Sequence, residues 1–104
     1  MNPVKTKDDI ATRLAQYQQQ IRHLGVASIA LFGSFVRNEA NSESDVDLLV
    51  QFTPGTKTFD RFMALAFLLE DALGRNVEIV TPESLSPYIG KHILSEAENV
   101  PFAA

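Results

Sequence analysis

The sequence predicts an α/β protein in which helices cover one small β-sheet. Three observations predict this class. Amphipathic helical stretches alternate with short apolar runs, turn residues bound each run, and the inferred order is helix, strand, turn, strand, helix, strand, helix. The chain has 104 residues, the length of one domain, and we expect residues 1–104 to fold as a single unit.

The first helix and the first strand are bounded by clear signals. Residues 6–24 carry apolar side chains at helical spacing. Thr6 provides an N-cap with an acidic residue three positions later, and Gly25 ends the helix. The run VASIALF at 26–32 is short, apolar and flanked by glycines, which is typical of a buried strand.

A brief helical turn and a second strand follow. Residues 34–38 predict the turn, and Asn38 can close it because asparagine tolerates a left-handed backbone. Residues 45–52, DVDLLVQF, predict the strand. Since successive side chains of a strand point to opposite faces, Asp45 and Asp47 should share one face.

The second half of the chain predicts two helices and one more strand. Residues 58–73 form the most apolar helical stretch, which ends at Gly74. Residues 76–81, NVEIVT, predict the third strand, and a last helix is expected over 87–98 with Ser86 as its cap. The apolar stripe predicted for the first of these helices comprises Phe59, Phe62, Ala66, Leu69 and Leu73. We expect this stripe to pack in the core, and the alternative is that part of it is exposed as a surface for a partner.

Composition excludes several classes of function. The net charge is −4 and the nine Lys and Arg residues are scattered, so we expect no direct nucleic-acid binding. The absence of cysteine is typical of the reducing cytoplasm. We also expect no signal peptide and no membrane segment, because the longest apolar run, 63–69, falls far short of the ~20 residues that a spanning helix needs.

Gly33 and Ser34 lie where a strand gives way to a helical turn. Glycine lets a ligand approach the backbone, free N–H groups at such a turn bind anions, and Ser34 adds a hydroxyl. Arg37, one turn later, could reach a phosphate or could simply be an exposed arginine. Taken alone, a Gly-Ser pair at the end of a strand is a weak signal, because such a pair is far more often a plain turn that carries an N-cap.

Three acidic residues are candidates for a metal site. Asp45 and Asp47 on one strand repel each other when they converge, so either one pKa rises or a cation such as Mg²⁺ neutralises them. Glu78, on the third strand, can join them if that strand neighbours the second. Three carboxylates facing one cleft can hold metal ions for phosphoryl or nucleotidyl transfer. The alternative is that all three are solvated on an open or edge face of the sheet.

The stretch GSFVRNEANSESDVDLLV joins these features, with ten residues between Ser34 and Asp45. It resembles the motif of the DNA polymerase β-like nucleotidyltransferase superfamily. In length and in the later segment LGRNVEIVT, the chain resembles the minimal nucleotidyltransferases (MNT), the antitoxin half of HEPN–MNT toxin–antitoxin pairs.

The resemblance implies the polymerase β-like palm fold, a small mixed sheet covered by helices, and a specific reaction. Relatives of this kind use Mg²⁺ to transfer AMP from ATP to a tyrosine hydroxyl of a partner, a HEPN-fold ribonuclease toxin. The implied nucleotide-binding residues are Gly33, Ser34 and Arg37. The implied metal-binding and catalytic residues are Asp45, Asp47 and Glu78.

Two residues depart from the family pattern. The third acid is commonly Asp and is Glu78 here, which moves the carboxylate by about an ångström, and displacements of ~1 Å can cost on the order of 100-fold in rate. Asn38 stands where glycine is common, a milder change because both residues accept positive φ.

Other functions remain open at the level of sequence. The chain could neutralise its partner by masking the partner's surface, with little catalysis. It could instead modify an antibiotic, although no second domain is present to bind one. A short chain leaves the cleft open, which favours a macromolecular acceptor and a hetero-oligomer with the toxin, while a homodimer could build a closed pocket.

Overall fold

A computed structural model describes residues 2–101. These residues form a four-stranded mixed sheet with helices on both faces, which confirms the predicted fold class. The strands are β1 (Val26–Phe32), β2 (Val46–Phe52), β3 (Val77–Val80) and β4 (Glu98–Asn99). The helices are α1 (Lys7–Gln16), α2 (Gln18–His23), α3 (Phe59–Leu73) and α4 (Pro87–Glu96).

The sheet has the strand order β3-β2-β1-β4. Strand β1 pairs with β2 and with β4 in antiparallel fashion, whereas β2 pairs with β3 in parallel. The third strand therefore neighbours the second, which is the condition under which Glu78 can join Asp45 and Asp47. This topology brings the C-terminal end of β1 and the N-terminal ends of β2 and β3 together at the same end of the sheet.

The two faces of the sheet have different coverings. Val46, Leu48 and Val50 of β2 are fully buried in the main core, where side chains of α1, α2 and α3 pack. On the opposite face, Leu49 packs with Phe32 and with Ile93 of α4 in a second, smaller cluster. The alternation of β2 therefore directs Asp47 to the face that α4 partly covers.

The predicted first helix is interrupted. Tyr17 adopts φ −108° and ψ 15°, so α1 ends there and α2 begins at the next residue. The predicted cap is confirmed, because the Thr6 hydroxyl accepts the Asp9 N–H at 3.1 Å and the Asp9 carboxylate accepts the Thr6 N–H at 3.3 Å. The apolar spacing holds across the break: Ile10, Leu14 and Ile21 are fully buried.

The stripe predicted for α3 is partly wrong. Phe59 is 78% exposed, and the residues of this helix that are buried are Leu65, Leu69, Ala72 and Leu73. The helix is apolar on more than one face, as the 65% exposure of Phe67 also shows, so spacing alone does not select the buried side.

Strand β4 was not predicted. The last helix ends at Glu96 rather than Glu98, because Ala97 is extended and the chain then pairs with β1. A strand of two residues leaves no alternation in the sequence. The described part of the chain contains no helix that is both long and apolar enough to cross a membrane.

Candidate active site

The turn after β1 packs directly against Asp47. Gly33 opens a 3-10 turn, Gly33–Phe35, with φ +80°, a conformation that glycine adopts readily. A Cβ at this position would lie 2.1 Å from Asp47 Oδ2. Since Phe32 is the register partner of Asp47, the β1–β2 pairing itself brings the Gly-Ser turn to the acid. Ser34 follows in the same turn and is half-buried.

Asp47 and Glu78 form a carboxyl pair. They are register partners in the parallel β2–β3 ladder and therefore point to the same face. Burial raises the pKa of Asp47 from its ordinary 3.8 to about 6, and the hydrogen bond to Glu78 and the charges of Glu78 and Asp45 act in the same direction. Arg37 opposes this rise. Two carboxylates thus lie close together in a partly buried site, where the positive charge is too small to neutralise both of them.

Asp45 lies just outside β2 and is exposed. Its charge reaches Asp47, as the raised pKa of Asp47 shows. Within residues 2–101, however, no three His, Cys, Asp or Glu side chains are already grouped closely enough to hold a metal ion. The structure therefore brings Asp47 and Glu78 into contact and places the charge of Asp45 within electrostatic reach of them.

The carboxylate of Glu96 binds to the donor groups that we expect to bind an anion. Glu96, the last residue of α4, accepts the Gly33 N–H at 3.3 Å and forms an ion pair with the Arg37 guanidinium. Arg37 also contacts Glu39 at 3.4 Å. Burial raises the pKa of Glu96, but the hydrogen bonds from Arg37 and Gly33 outweigh it, so the pKa lies below its usual value. These two donors therefore bind an oxyanion in the folded chain.

Glu96 was missed by the sequence analysis. It is 59 residues from Arg37, and it reaches the site because Ile93 of α4 packs against Phe32 and because β4 pairs with β1. Within the sequence it ends a helix whose apolar spacing gives no sign of a contact with the Gly-Ser turn. Only the pairing of β4 with β1 could have indicated it.

The comparison with protein families decides the class of this chain. A family model described as nucleotidyltransferase domain matches residues 9–100. The chain belongs to the nucleotidyltransferase domain family. The enzyme class that the sequence predicts, a nucleotidyltransferase, is thereby confirmed, and the relatives and solved structures below confirm the resemblance to minimal nucleotidyltransferases.

Two relatives are similar to this nucleotidyltransferase over most of their length. Protein adenylyltransferase MntA of Thermococcus cleftensis is 38% identical over 92 residues, which cover 88% of this chain and 92% of the relative. A Methanocaldococcus jannaschii protein, provisionally named a protein adenylyltransferase, is 40% identical over 76 residues, or 73% of this chain and 81% of that protein.

Solved structures share the fold of this nucleotidyltransferase. A protein provisionally described as a minimal nucleotidyltransferase has a TM-score of 0.77 and 32% identity, covering 89% of this chain and 94% of its own. A toxin–antitoxin structure with AMP-PNP has a TM-score of 0.67 and 22% identity, covering 83% and 71%. A complex of a tri-AMPylated Shewanella oneidensis HEPN toxin with its MNT antitoxin has a TM-score of 0.60 and 20% identity, covering 86% and 71%.

Substitution of Gly33 tests the close packing against Asp47. We expect Gly33→Ala to cost about 1–2 kcal/mol of unfolding free energy from the left-handed backbone, and a further ~1–3 kcal/mol from the clash with Asp47. Gly55→Ala is the matched control, because Gly55 has φ +81° and a Cβ added there would have nothing within 4 Å. Urea unfolding measures both variants. Equal losses would contradict the contact with Asp47.

The raised pKa of Asp47 predicts a pH dependence of stability. A pKa above the unfolded value stabilises the fold through the bound proton, and this contribution is complete below pH ~4 and disappears as the pH rises through about 6. In buffer with EDTA, we expect Asp47→Asn to gain about 1–2 kcal/mol relative to wild type between pH 4 and 7, after discounting for solvent screening.

Urea unfolding at several pH values measures this difference. Asp71→Asn serves as the control, because Asp71 is an exposed acid of α3 outside the site. A difference between Asp47→Asn and wild type that stays constant across the range would contradict the strained carboxyl pair.

Proposed function

We propose that this nucleotidyltransferase is an antitoxin that transfers AMP from ATP to a tyrosine hydroxyl of a cognate HEPN ribonuclease toxin, with Mg²⁺. One observation carries the proposal: the Asp47–Glu78 carboxyl pair packs against the glycine turn whose N–H already binds an oxyanion. The similarity to an MntA protein adenylyltransferase over 88% of the chain supports the same reaction class.

The nucleotide would bind at the turn after β1. The Gly33 N–H and the Arg37 guanidinium would donate to phosphate oxygens, as they now donate to Glu96, and the Ser34 hydroxyl would add a third donor. The triphosphate must therefore displace the carboxylate of Glu96 from these groups. Gly33 leaves no side chain between the phosphates and Asp47, so the scissile bond can approach the acids closely.

The acids fit a hard divalent cation. Carboxylate oxygens are the ligands that Mg²⁺ prefers, and a bound cation would stabilise the ionised form of Asp47, which burial and the neighbouring acids Glu78 and Asp45 disfavour. Asp45, Asp47 and Glu78 would hold Mg²⁺, which when bound polarises the phosphate and offsets the charge that develops during transfer. Binding would require Asp47 to be ionised, and its pKa of about 6 leaves it mostly ionised at neutral pH.

The reaction forms one phosphorus–oxygen bond and breaks another. The tyrosine oxygen attacks the α-phosphorus of ATP, the bond between the α-phosphorus and its bridging oxygen breaks, and pyrophosphate leaves. The hydroxyl proton needs an acceptor, and the exposed carboxylate of Glu78, held beside Asp47, would take it. Gly33 and Arg37 would hold the phosphates in line.

A protein acceptor fits the surface of the chain. Large apolar side chains remain exposed on α3 and α4, and they offer area for a partner. These residues are Phe59, Phe67, Tyr88, Ile89 and Leu94. Among the structural neighbours are complexes of MNT antitoxins with HEPN toxins, so we propose a hetero-oligomer with such a toxin in the cytoplasm.

A second function is favoured by the same contacts. Glu96 already occupies the anion-binding donors, and Glu78 replaces the aspartate common in the family. Both features would lower catalysis, and the chain could then neutralise its partner by covering the partner's surface alone.

The double variant Asp45→Ala, Asp47→Ala separates the two functions. Under the enzymatic proposal, AMP transfer to the partner should fall by more than ~100-fold, since loss of cation binding removes several kcal/mol of transition-state stabilisation. Mass spectrometry of the partner after incubation with ATP and Mg²⁺ measures it. The matched control is Asp60→Ala, Asp71→Ala, which removes two exposed acids from α3.

Neutralisation of the toxin is measured with the same variants. If the double variant binds the toxin and still neutralises it fully, masking is the function. If the wild type binds the toxin but adds no AMP, the enzymatic proposal is wrong.

Glu96→Gln tests the competition at the anion site. The change removes a negative charge that ATP phosphates must displace, so we expect the KM for ATP to fall by about 3- to 10-fold, or 0.7–1.4 kcal/mol. Glu98→Gln is the control, because Glu98 pairs with Lys7 at 3.3 Å outside the site. A KM that rises would mean that Glu96 orients Arg37 and does not compete with ATP.

A further inference from the structure

Arg75 joins three separate segments next to the candidate site. Its Nε donates to the Val4 carbonyl at 2.7 Å, and its Nη1 donates to the carbonyls of Asn41 at 2.8 Å and Ser44 at 2.9 Å. Its guanidinium also lies over the Phe35 ring, 5.1 Å from the centroid. One side chain thus contacts both the Gly-Ser turn and the loop that leads to Asp45.

The loop over residues 41–44 is a compact turn. The Asn41 N–H donates to the Ser44 hydroxyl at 2.9 Å, and the Glu43 N–H donates to the Asn41 side chain at 2.8 Å. These bonds fix the shape of the loop but do not attach it to the sheet. The two bonds from Arg75 to its carbonyls supply that attachment.

The carbonyl of Ser44 belongs to the peptide bond that precedes Asp45. Within residues 2–101, no side-chain hydrogen bond holds the Asp45 carboxylate itself, so the direction of this side chain depends on its backbone. On the N-terminal side of Asp45, the hydrogen bond from Arg75 to the Ser44 carbonyl fixes the backbone. On the C-terminal side, the hydrogen bond from the Val46 N–H to the Asn76 carbonyl, at 3.0 Å, fixes it.

The contact with Phe35 connects the Gly-Ser turn to the guanidinium of Arg75. Phe35 is 2% exposed and follows Ser34 directly, so its ring is fixed in the core. A guanidinium over an aromatic face is attracted by the electrons of the ring, and its planar fork can serve several carbonyls at once. A lysine ammonium at this position would be a point charge and could not span the same acceptors.

We propose that Arg75 is a positioning residue that holds Asp45 at the metal-binding edge of the site relative to the Gly-Ser turn. The proposal rests on the proposed function, in which Asp45 binds the divalent cation. Arg75 contacts the backbone of the loop and the ring of Phe35, and it acts on Asp45 through these groups.

The test compares Arg75→Lys with Arg13→Lys. Arg13 is the matched control because its guanidinium also donates to two backbone carbonyls, those of Ala72 at 2.8 Å and Asn2 at 2.7 Å, away from the loop of residues 41–44. Three quantities are measured: the affinity for Mn²⁺ by electron paramagnetic resonance without ATP, the Mg²⁺ dependence of AMP transfer, and the KM for ATP at saturating Mg²⁺.

We expect Arg75→Lys to weaken Mn²⁺ binding and to raise the half-saturating Mg²⁺ concentration by about 5- to 10-fold, while the KM for ATP changes by less than about 3-fold. High Mg²⁺ should restore a large part of the rate. Arg13→Lys should leave all three quantities at wild-type values, even if both variants lower the urea midpoint.

Two results would overturn the positioning role. One is wild-type Mn²⁺ affinity in a folded Arg75→Lys variant, and the other is a wild-type chain that binds no Mn²⁺. A wild type that binds Mn²⁺ but transfers no AMP, with weaker binding in Arg75→Lys, would support the positioning role and reject the proposed enzymatic function.

Discussion

The contact between the backbone of Gly33 and the carboxylate of Asp47 is the constraint on which the site depends. It exists because β1 ends opposite the start of β2, with Phe32 and Asp47 as register partners. The absence of a side chain at Gly33 lets the acid and the turn meet. A shift of one residue in the β1–β2 register would turn Asp47 into the main core and leave the glycine turn against an apolar residue.

At this contact, a pair of carboxyl groups meets a group of hydrogen-bond donors that bind an anion. On one side, Asp47 and Glu78 place two carboxyl groups together, and burial, followed by the contact with Glu78, raises the pKa of Asp47. On the other side, the Gly33 N–H and Arg37 attract a carboxylate from the end of α4. The substrate that we propose, a nucleotide with its divalent cation, would be complementary to both sides, whereas either component alone would be complementary to only one.

Much of the fold and of the arrangement of the acids could be predicted from local patterns in the sequence. The alternation in DVDLLVQF correctly placed Val46, Leu48 and Val50 in the core and Asp47 on the other face, because a strand buried on one side imposes a period of two. The contacts of Glu96 and the pairing of β4 could not be predicted, since both depend on a two-residue strand that brings distant segments together. The sequence left open which part of the α3 stripe is exposed, because α3 is apolar around most of its circumference, and the structure shows that Phe59 is exposed.

The charged residues of the candidate site lie at one end of the mixed sheet, where β1 ends and β2 and β3 begin. Val26 and Phe52 pair at the opposite end, where the turn that follows β2 carries exposed residues such as Thr53 and Gly55. The sequence contains no cysteine, so Thr53→Cys would introduce the sole thiol of the chain, at the end of β2 remote from Asp47. A dye attached there would lie at the end of the sheet opposite Asp47, away from the proposed path of the nucleotide.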